Sequence, residues 1–256
     1  GSIPSASIMK SIFITVRTGS TRLPYKSMID LHGRPSVEWL IMNLKKSKEA
    51  DKIVLCTTCE VCDDVLCNLA SKNNIDYFRG STEDKLLRWL GACEKYNVEF
   101  FVNVDGDDLF FDYELADHVF KQYDISKPDF IDGQGVLYND VYGMTKKTLK
   151  YICDSKGDST AEYIKPHIED GVLFTDKIKY YDDKWIKGDV RMTLDYKEDH
   201  EFFETVLRGL GSSEVTFDNI MEFINNNPHV KNINWSMEEE WKRRQNSQIK
   251  KESGSI

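Results

Sequence analysis

The chain has 256 residues, of which 40% are hydrophobic, and a formal net charge of −9. At about 100–200 residues per domain this suits one domain with at most a small subdomain. No apolar run approaches the ~18 residues of a membrane helix, and an acidic chain without a Lys/Arg stripe does not read as a nucleic-acid binder.

The first residues, 1–8, have neither a basic nor an apolar signal region and are expected to be a tag or disordered. The main domain is expected over 9–212, and the cytoplasm is the expected compartment. The apolar run 11–16 predicts a strand. Directly after it come three cations, Arg17, Arg22 and Lys26, around the turn Gly19-Ser20-Thr21 and stiffened by Leu23-Pro24. A segment leaving a buried strand with backbone N–H groups and gathered cations suits phosphates. It is neither a Walker A loop nor a dinucleotide fingerprint, because the glycines those need are missing. The plain alternative is a basic surface turn.

Val37, Leu40, Ile41 and Leu44 recur at helical spacing after Arg34-Pro35-Ser36. A second strand is predicted over 53–57. A helix opened by Asp63 follows, with Val65, Leu66, Leu69 and Ala70 on one face. A third strand is predicted over 75–78. Next, Ser81-Thr82-Glu83-Asp84 offers cap chemistry to a helix with Leu86, Trp89, Leu90 and Cys93 inward. A fourth strand is predicted over 100–104. The β-α alternation implies a Rossmann-like α/β fold, a mostly parallel sheet covered by helices, whose ligands bind beyond the carboxyl ends of the strands. Residues 130–190 read as a small inserted lobe, 189–195 as a strand ending in Asp195, and 213–248 as a C-terminal helical segment with helices at 217–225 and 237–248. A helix is also expected at 198–208, and 249–256 as a disordered tail.

Cys56, Cys59, Cys62 and Cys67 have a metal-like spacing. Cys56 lies in a strand and Cys67 on an apolar helix face, so reduced structural thiols are the simpler reading. Asp105-Gly106-Asp107-Asp108 closes the fourth strand. Carboxylates at a strand end suit a hard cation, and Mg²⁺ often joins one or two carboxylates to substrate phosphates. Asp107 and Asp195 are the predicted metal ligands. A cationic loop and two carboxylates on one sheet edge suit nucleotidyl transfer, with the triphosphate on the loop and pyrophosphate leaving.

These stretches resemble the cytidylyltransferases that activate sugars with CTP: CMP-Kdo synthetase, CMP-sialic acid synthetase and, above all, the spore coat polysaccharide group. Arg17-Thr18-Gly19-Ser20-Thr21-Arg22-Leu23-Pro24-Tyr25-Lys26 is similar to the R-x-G-S-x-R-L-P-x-K signature. Gly33-Arg34-Pro35, Thr57-Thr58 and Arg79-Gly80-Ser81-Thr82-Glu83-Asp84 resemble further segments of the family. So do Asn103-Val104-Asp105-Gly106-Asp107 and Leu194-Asp195-Tyr196-Lys197-Glu198-Asp199.

The resemblance implies CTP and Mg²⁺ as co-reactants, a CMP-linked product of surface polysaccharide synthesis and a homodimer formed through the lobe. It implies catalytic roles for Arg17, Arg22 and Lys26. Nucleotide contacts are implied for Val16, Arg17, Gly19, Ser20, Lys26, Thr57, Thr58, Arg79, Gly80, Ser81, Asp84 and Asp105. Gln134 and Glu162 are the implied acceptor contacts. Two departures matter. Asp108-Leu109 stand where relatives carry Cys or Glu and then Pro, which leaves open which Asp of the cluster binds metal. Residues 161–168 keep only Glu162, Pro166 and Ile168 of an acceptor-side segment. The acceptor is therefore either an acidic sugar or a phospho-alcohol, sugar phosphate or phosphonate. A different nucleotide, or a non-catalytic nucleotide-binding protein, are the competing readings.

Overall fold

The computed structural model describes residues 8–133, 141–156, 164, 168, 172–179, 182–185 and 188–253. In chain order the elements are β1 (Lys10–Thr15), the short hairpin β2 (Asp30–Leu31) and β3 (Arg34–Pro35), α1 (Ser36–Leu44), β4 (Lys52–Thr58), α2 (Asp64–Lys72), β5 (Asp76–Gly80), α3 (Lys85–Tyr96) and β6 (Phe100–Asp105). There follow α4 (Tyr113–Ser126), β7 (Phe130–Asp132), β8 (Tyr142–Thr145), α5 (Lys146–Ser155), β9 (Thr175–Lys177), α6 (Lys197–Leu210), α7 (Phe217–Asn226) and α8 (Met237–Ser253).

Among the described residues, seven strands form one sheet in the order β5-β4-β1-β6-β8-β7-β9. The pairs β5/β4, β4/β1 and β1/β6 are parallel, as the alternating pattern predicts, and β8 is antiparallel to both β6 and β7. The chain winds outward from β1 to β5, then returns to place β6 on the other side of β1. Between β1 and β6 the winding reverses, which is where doubly wound sheets bind ligands. The basic loop leaves β1 there and the acidic turn leaves β6.

Side-chain alternation along the strands sends residues to two cores. Ile12, Ile14, Val102 and Val104 pack with the apolar faces of α1, α2, α4, α6 and α7. Phe13, Val54, Cys56 and Phe101 pack with α3 and α5, where Leu86, Trp89 and Cys93 are buried and Leu90 is partly so. Asp84 caps α3 by accepting from the Leu87 N–H at 2.9 Å. The hairpin turn uses His32 and Gly33 at φ 51° and 81°, the left-handed pair that a two-residue turn of this hand requires.

Four features differ from the sequence reading. Residues 190–195 are buried but form no strand. Leu194 N–H makes a single rung to Asp107 O at 2.9 Å. Neighbouring backbone groups are taken by side chains instead: Asp199 accepts from Asp195 N–H and Asn234 donates to Arg191 O. Second, the described parts of 130–190 contribute β7, β8 and β9 to the main sheet. Third, α4 goes unread in the sequence, although Asp112 caps it and Leu115, Val119 and Phe120 mark its buried face. The last helix runs to Ser253, into the stretch expected as a tail.

Candidate active site

Lys26 is the centre of the cleft. Its ammonium donates to Asp107 Oδ2 at 2.5 Å and to Asp195 Oδ1 at 2.7 Å. Arg22 Nη2 donates to the same Asp195 oxygen at 2.5 Å. Residues from the loop after β1, the turn after β6 and the segment before α6 thus meet at one point. Asp195 is buried, whereas the Asp107 side chain retains 22% of its surface.

The electrostatics follow from this crowding. Burial opposes the charged form of Lys26, yet Asp107 and Asp195 outweigh it and hold the ammonium above its usual range. Burial would also raise Asp195, but Lys26, Arg22 and Arg191 surround it and keep its carboxyl low. Asp107 goes the other way: burial raises it, and Asp195 and Asp105 add repulsion that Lys26 does not cancel. Asp108 is raised well above the usual range by burial and by Asp107 and Asp105. Of the cluster, Asp107 is therefore the carboxylate that meets Lys26 and shares its cation with Asp195.

The donor set fits a hard divalent ion. Two carboxylate oxygens already lie within bonding reach of one positive centre, the Lys26 nitrogen, and oxygen ligands are what Mg²⁺ takes. Among the described residues no group of three or more His, Cys, Asp or Glu side chains is placed to hold an ion. Two carboxylates alone leave most of an octahedral shell to water and substrate phosphate oxygens, the usual Mg²⁺ arrangement.

The loop is pinned by a residue to which the sequence reading assigns only a helix start. Asp63, 1% exposed, accepts from Thr18 N–H and Oγ1 at 2.8 and 2.7 Å, from Thr57 Oγ1 at 2.9 Å, and from Thr58 N–H and Oγ1 at 3.2 and 2.5 Å. Burial disfavours its charge, but these donors prevail and lower its pKa. Thr57 and Thr58, expected to touch nucleotide, are themselves buried against Asp63 and anchor the loop instead. Nothing local in the sequence separates this Asp from an ordinary helix start.

The other expected nucleotide contacts fall into two groups. Asp105 stays half-exposed at the cleft, held by Asn103 Nδ2 at 3.2 Å and 3.9 Å from Lys85 Nζ. Asn103 in turn accepts from Thr15 Oγ1, which accepts from Trp89 Nε1. Arg17 is exposed and reaches Thr82 O at 3.5 Å. Around Gly19 a Cβ would meet nothing within 4 Å. Val16, by contrast, is buried and its N–H donates to Cys56 O. Ser20 N–H turns back on Thr18 O at 2.8 Å, so it is not a free donor.

Arg79 spans Thr58 O, Glu60 O and Asp64 Oδ1 at 3.0, 2.8 and 2.5 Å. At Gly80 a Cβ would lie 2.8 Å from the Phe78 ring, so the position serves close packing. Ser81 Oγ accepts from Asp84 N–H, and the buried Asp84 carboxylate is committed to its cap and to Lys156 at 2.5 Å. The side chains of Arg79, Ser81 and Asp84 are thus engaged by backbone groups and by Asp64 and Lys156 of the protein itself. Gln134 and Glu162 lie outside the described residues.

A family model described as cytidylyltransferase matches residues 12–170. That stretch holds the basic loop and Asp107 but stops before Asp195. An uncharacterized protein of Methanocaldococcus jannaschii is 28% identical over 86% of this chain and 92% of its own. The spore coat polysaccharide biosynthesis protein SpsF of Bacillus subtilis is 25% identical over 84% of this chain and 93% of its own. A cytidylyltransferase structure from Leptospira borgpetersenii superposes with a TM-score of 0.78 at 27% identity, covering 88% of this chain and 97% of that one. A CMP-2-keto-3-deoxy-manno-octonic acid synthetase complexed with CTP shares the fold, with a TM-score of 0.56 at 11% identity over 79% of this chain and 99% of that one. With its mostly parallel α/β sheet and the cationic loop facing acidic residues at the winding reversal, the chain belongs to the cytidylyltransferase family of CTP-dependent nucleotidyltransferases.

Proposed function

We propose that this enzyme transfers CMP from CTP to an acidic sugar or a related acceptor, releasing pyrophosphate, in the synthesis of a surface polysaccharide. The observation that carries the reading is the meeting of Arg22, Lys26, Asp107 and Asp195 at one point of the cleft. Cations alone would suit any anion. Cations already paired with two carboxylates suit an anion that arrives with its own divalent ion.

Asp107 and Asp195 would hold Mg²⁺, which when bound neutralises phosphate charge and favours departure of pyrophosphate. Arg17, Arg22 and Lys26 would bind the triphosphate by charge-assisted hydrogen bonds, stronger than neutral ones. An oxygen of the acceptor forms a bond to the α-phosphorus, and the bond from that phosphorus to the bridging oxygen breaks. The bridging oxygen leaves with its electron pair as part of pyrophosphate. A hydroxyl acceptor also gives up its proton, to solvent water; an ionised phosphate or phosphonate oxygen has none to lose. Catalysis is then mainly positioning and charge compensation.

The name of the SpsF relative supports the polysaccharide context. The homodimer belongs to the same reading, supported by Val172 and Phe174, exposed next to β9 at the sheet edge. The cytoplasm is the proposed site of action; among the described residues no helix is long and apolar enough to cross a membrane. The test is pyrophosphate release from CTP and Mg²⁺ with a panel of nonulosonic acids, Kdo, phospho-alcohols and phosphonates, alongside the other three nucleotides. Turnover with one acceptor class and CTP supports the reading. Absence of turnover together with absence of CTP binding overturns it.

A further inference from the structure

We infer that the C-terminal helix α8 belongs to the catalytic apparatus: Glu238 holds Arg191, and Arg191 with Asp199 fixes the carboxylate of Asp195. The inference rests on the role given to Asp195 in the proposed transfer. Glu238 is a positioning residue, since it would act through Arg191.

Arg191 is 2% exposed. Its Nε and Nη2 donate in parallel to Asp199 Oδ1 and Oδ2 at 2.8 and 3.1 Å. Its Nη1 donates to Glu238 Oε2 at 3.1 Å. The rings of Tyr196 and Trp241 lie 5.5 and 5.7 Å from the guanidinium carbon, within the range of a cation–π contact. Asp199 Oδ2 also accepts from the N–H groups of Asp195 and Tyr196, both at 2.9 Å. Asn234, just before α8, donates to Arg191 O at 3.1 Å and to Asp199 Oδ1 at 2.9 Å. The main chain at Asp195 is thus gripped from behind, while Asp195 Oδ1 faces Arg22 and Lys26 in front.

The remaining oxygen explains why Glu238 matters. Arg191 Nη2 lies 3.7 Å from Asp195 Oδ2, close enough to favour a charged carboxylate but beyond a hydrogen bond. Glu238 engages the far side of the guanidinium and keeps it at that distance. Without Glu238, Nη1 loses its acceptor and the buried cation is balanced by one acid fewer. The nearest further carboxylate oxygen is Asp195 Oδ2. Arg191 would then close on it and draw the carboxylate and its charge away from the ion that Oδ1 would share with Asp107.

The experiment uses the full chain carrying Glu238→Ala, Glu238→Gln or Glu238→Asp. Two readouts are taken: the half-saturating Mg²⁺ for CTP-dependent turnover, and direct binding of Tb³⁺ by luminescence. Glu238→Ala is expected to raise the half-saturating Mg²⁺ about tenfold or more and to weaken Tb³⁺ binding in parallel, the scale seen when partners behind metal ligands are removed. Glu238→Gln keeps a hydrogen-bond acceptor for Nη1 and is expected to recover most of the loss. Glu238→Asp, which falls short of Nη1, behaves like the alanine variant and replaces it if that variant does not fold. Unchanged metal dependence and unchanged Tb³⁺ binding, even with a lowered melting temperature, overturn the inference and leave Glu238 a structural residue. A wild type that binds Tb³⁺ but does not use CTP overturns the proposed function alone, and the Tb³⁺ comparison still judges Glu238. A wild type that binds no Tb³⁺ overturns the inference.

Discussion

The Lys26 ammonium donates to Asp195 Oδ1 at 2.7 Å, joining residues 169 positions apart. The same ammonium bonds Asp107, so one lysine stands where a nucleotide's divalent ion would be shared. In the proposed reading Lys26 would be both a phosphate ligand and a competitor for the metal. That dual position gives opposite expectations for two ligands.

Lys26→Ala is expected to weaken CTP binding by about 10- to 100-fold, the equivalent of one charge-assisted hydrogen bond worth ~1.5–3 kcal/mol. In the same variant, binding of Mg²⁺ or Mn²⁺ without nucleotide is expected to tighten, because the two carboxylates lose their built-in cation. Calorimetry with each ligand separately checks both signs. Weaker binding of both would mean that Lys26 holds the pair of acids in place and does not compete for them.

Asp195→Asn removes the negative charge shared by Arg22, Lys26 and, at longer range, Arg191. Turnover is expected to fall by about two orders of magnitude or more. The circular dichroism spectrum should remain that of the folded protein, with a lower melting temperature because three cations then repel with less compensation. Activity that survives with unchanged Mg²⁺ dependence would remove Asp195 from the metal site.

Gly106 illustrates a steric requirement at the turn. A Cβ there would lie 2.6 Å from Val16 Cβ and 3.2 Å from Thr15 O, so the ends of β1 and β6 approach too closely for a side chain. Gly106→Ala is expected to cost about 1–3 kcal/mol by overpacking. It also displaces Asp107, so kcat should fall more than CTP affinity. Chemical denaturation and steady-state kinetics measure the two effects.

Asp63 supplies the pH dependence. Its carboxyl titrates below the ordinary 3.8 because burial is outweighed by the donors of Thr58, Thr18 and Thr57. A lowered acid contributes stability that is complete above the ordinary value and is lost as pH falls through the folded value. Asp63→Asn is expected to lose about 1–3 kcal/mol at neutral pH, because the two threonine donors on Oδ1, or the three on Oδ2, then face an amide donor. The gap to the wild type should narrow as the pH falls below about 3.8. A gap that is constant down to acid unfolding would contradict the assignment.

The sequence by itself determined the local structure and much of the chemistry. Apolar spacing at 12–14, 37–44, 53–56, 66–70, 86–93 and 100–104 is a property of neighbouring residues, and it yields β1, α1, β4, α2, α3 and β6 in order. Arg22, Lys26, Asp107 and Asp195 were likewise legible as residue types at strand ends or in a tight loop. Tertiary structure decided how they are used. The segment before Asp195 looks like a strand from its alternation, but its backbone bonds go to Asp199 and Asn234, partners that only folding supplies. Thr57, Thr58, Arg79 and Asp84 look like ligands for a nucleotide, yet each bonds Asp63, Asp64, Lys156 or backbone groups of the wall itself. Periodicity fixes which face a residue shows, whereas a charge is paired by whatever long-range packing brings within about 3 Å. That is why Asp63 and Glu238 give no local signal, although one pins the loop and the other reaches Arg191 across 47 residues of chain.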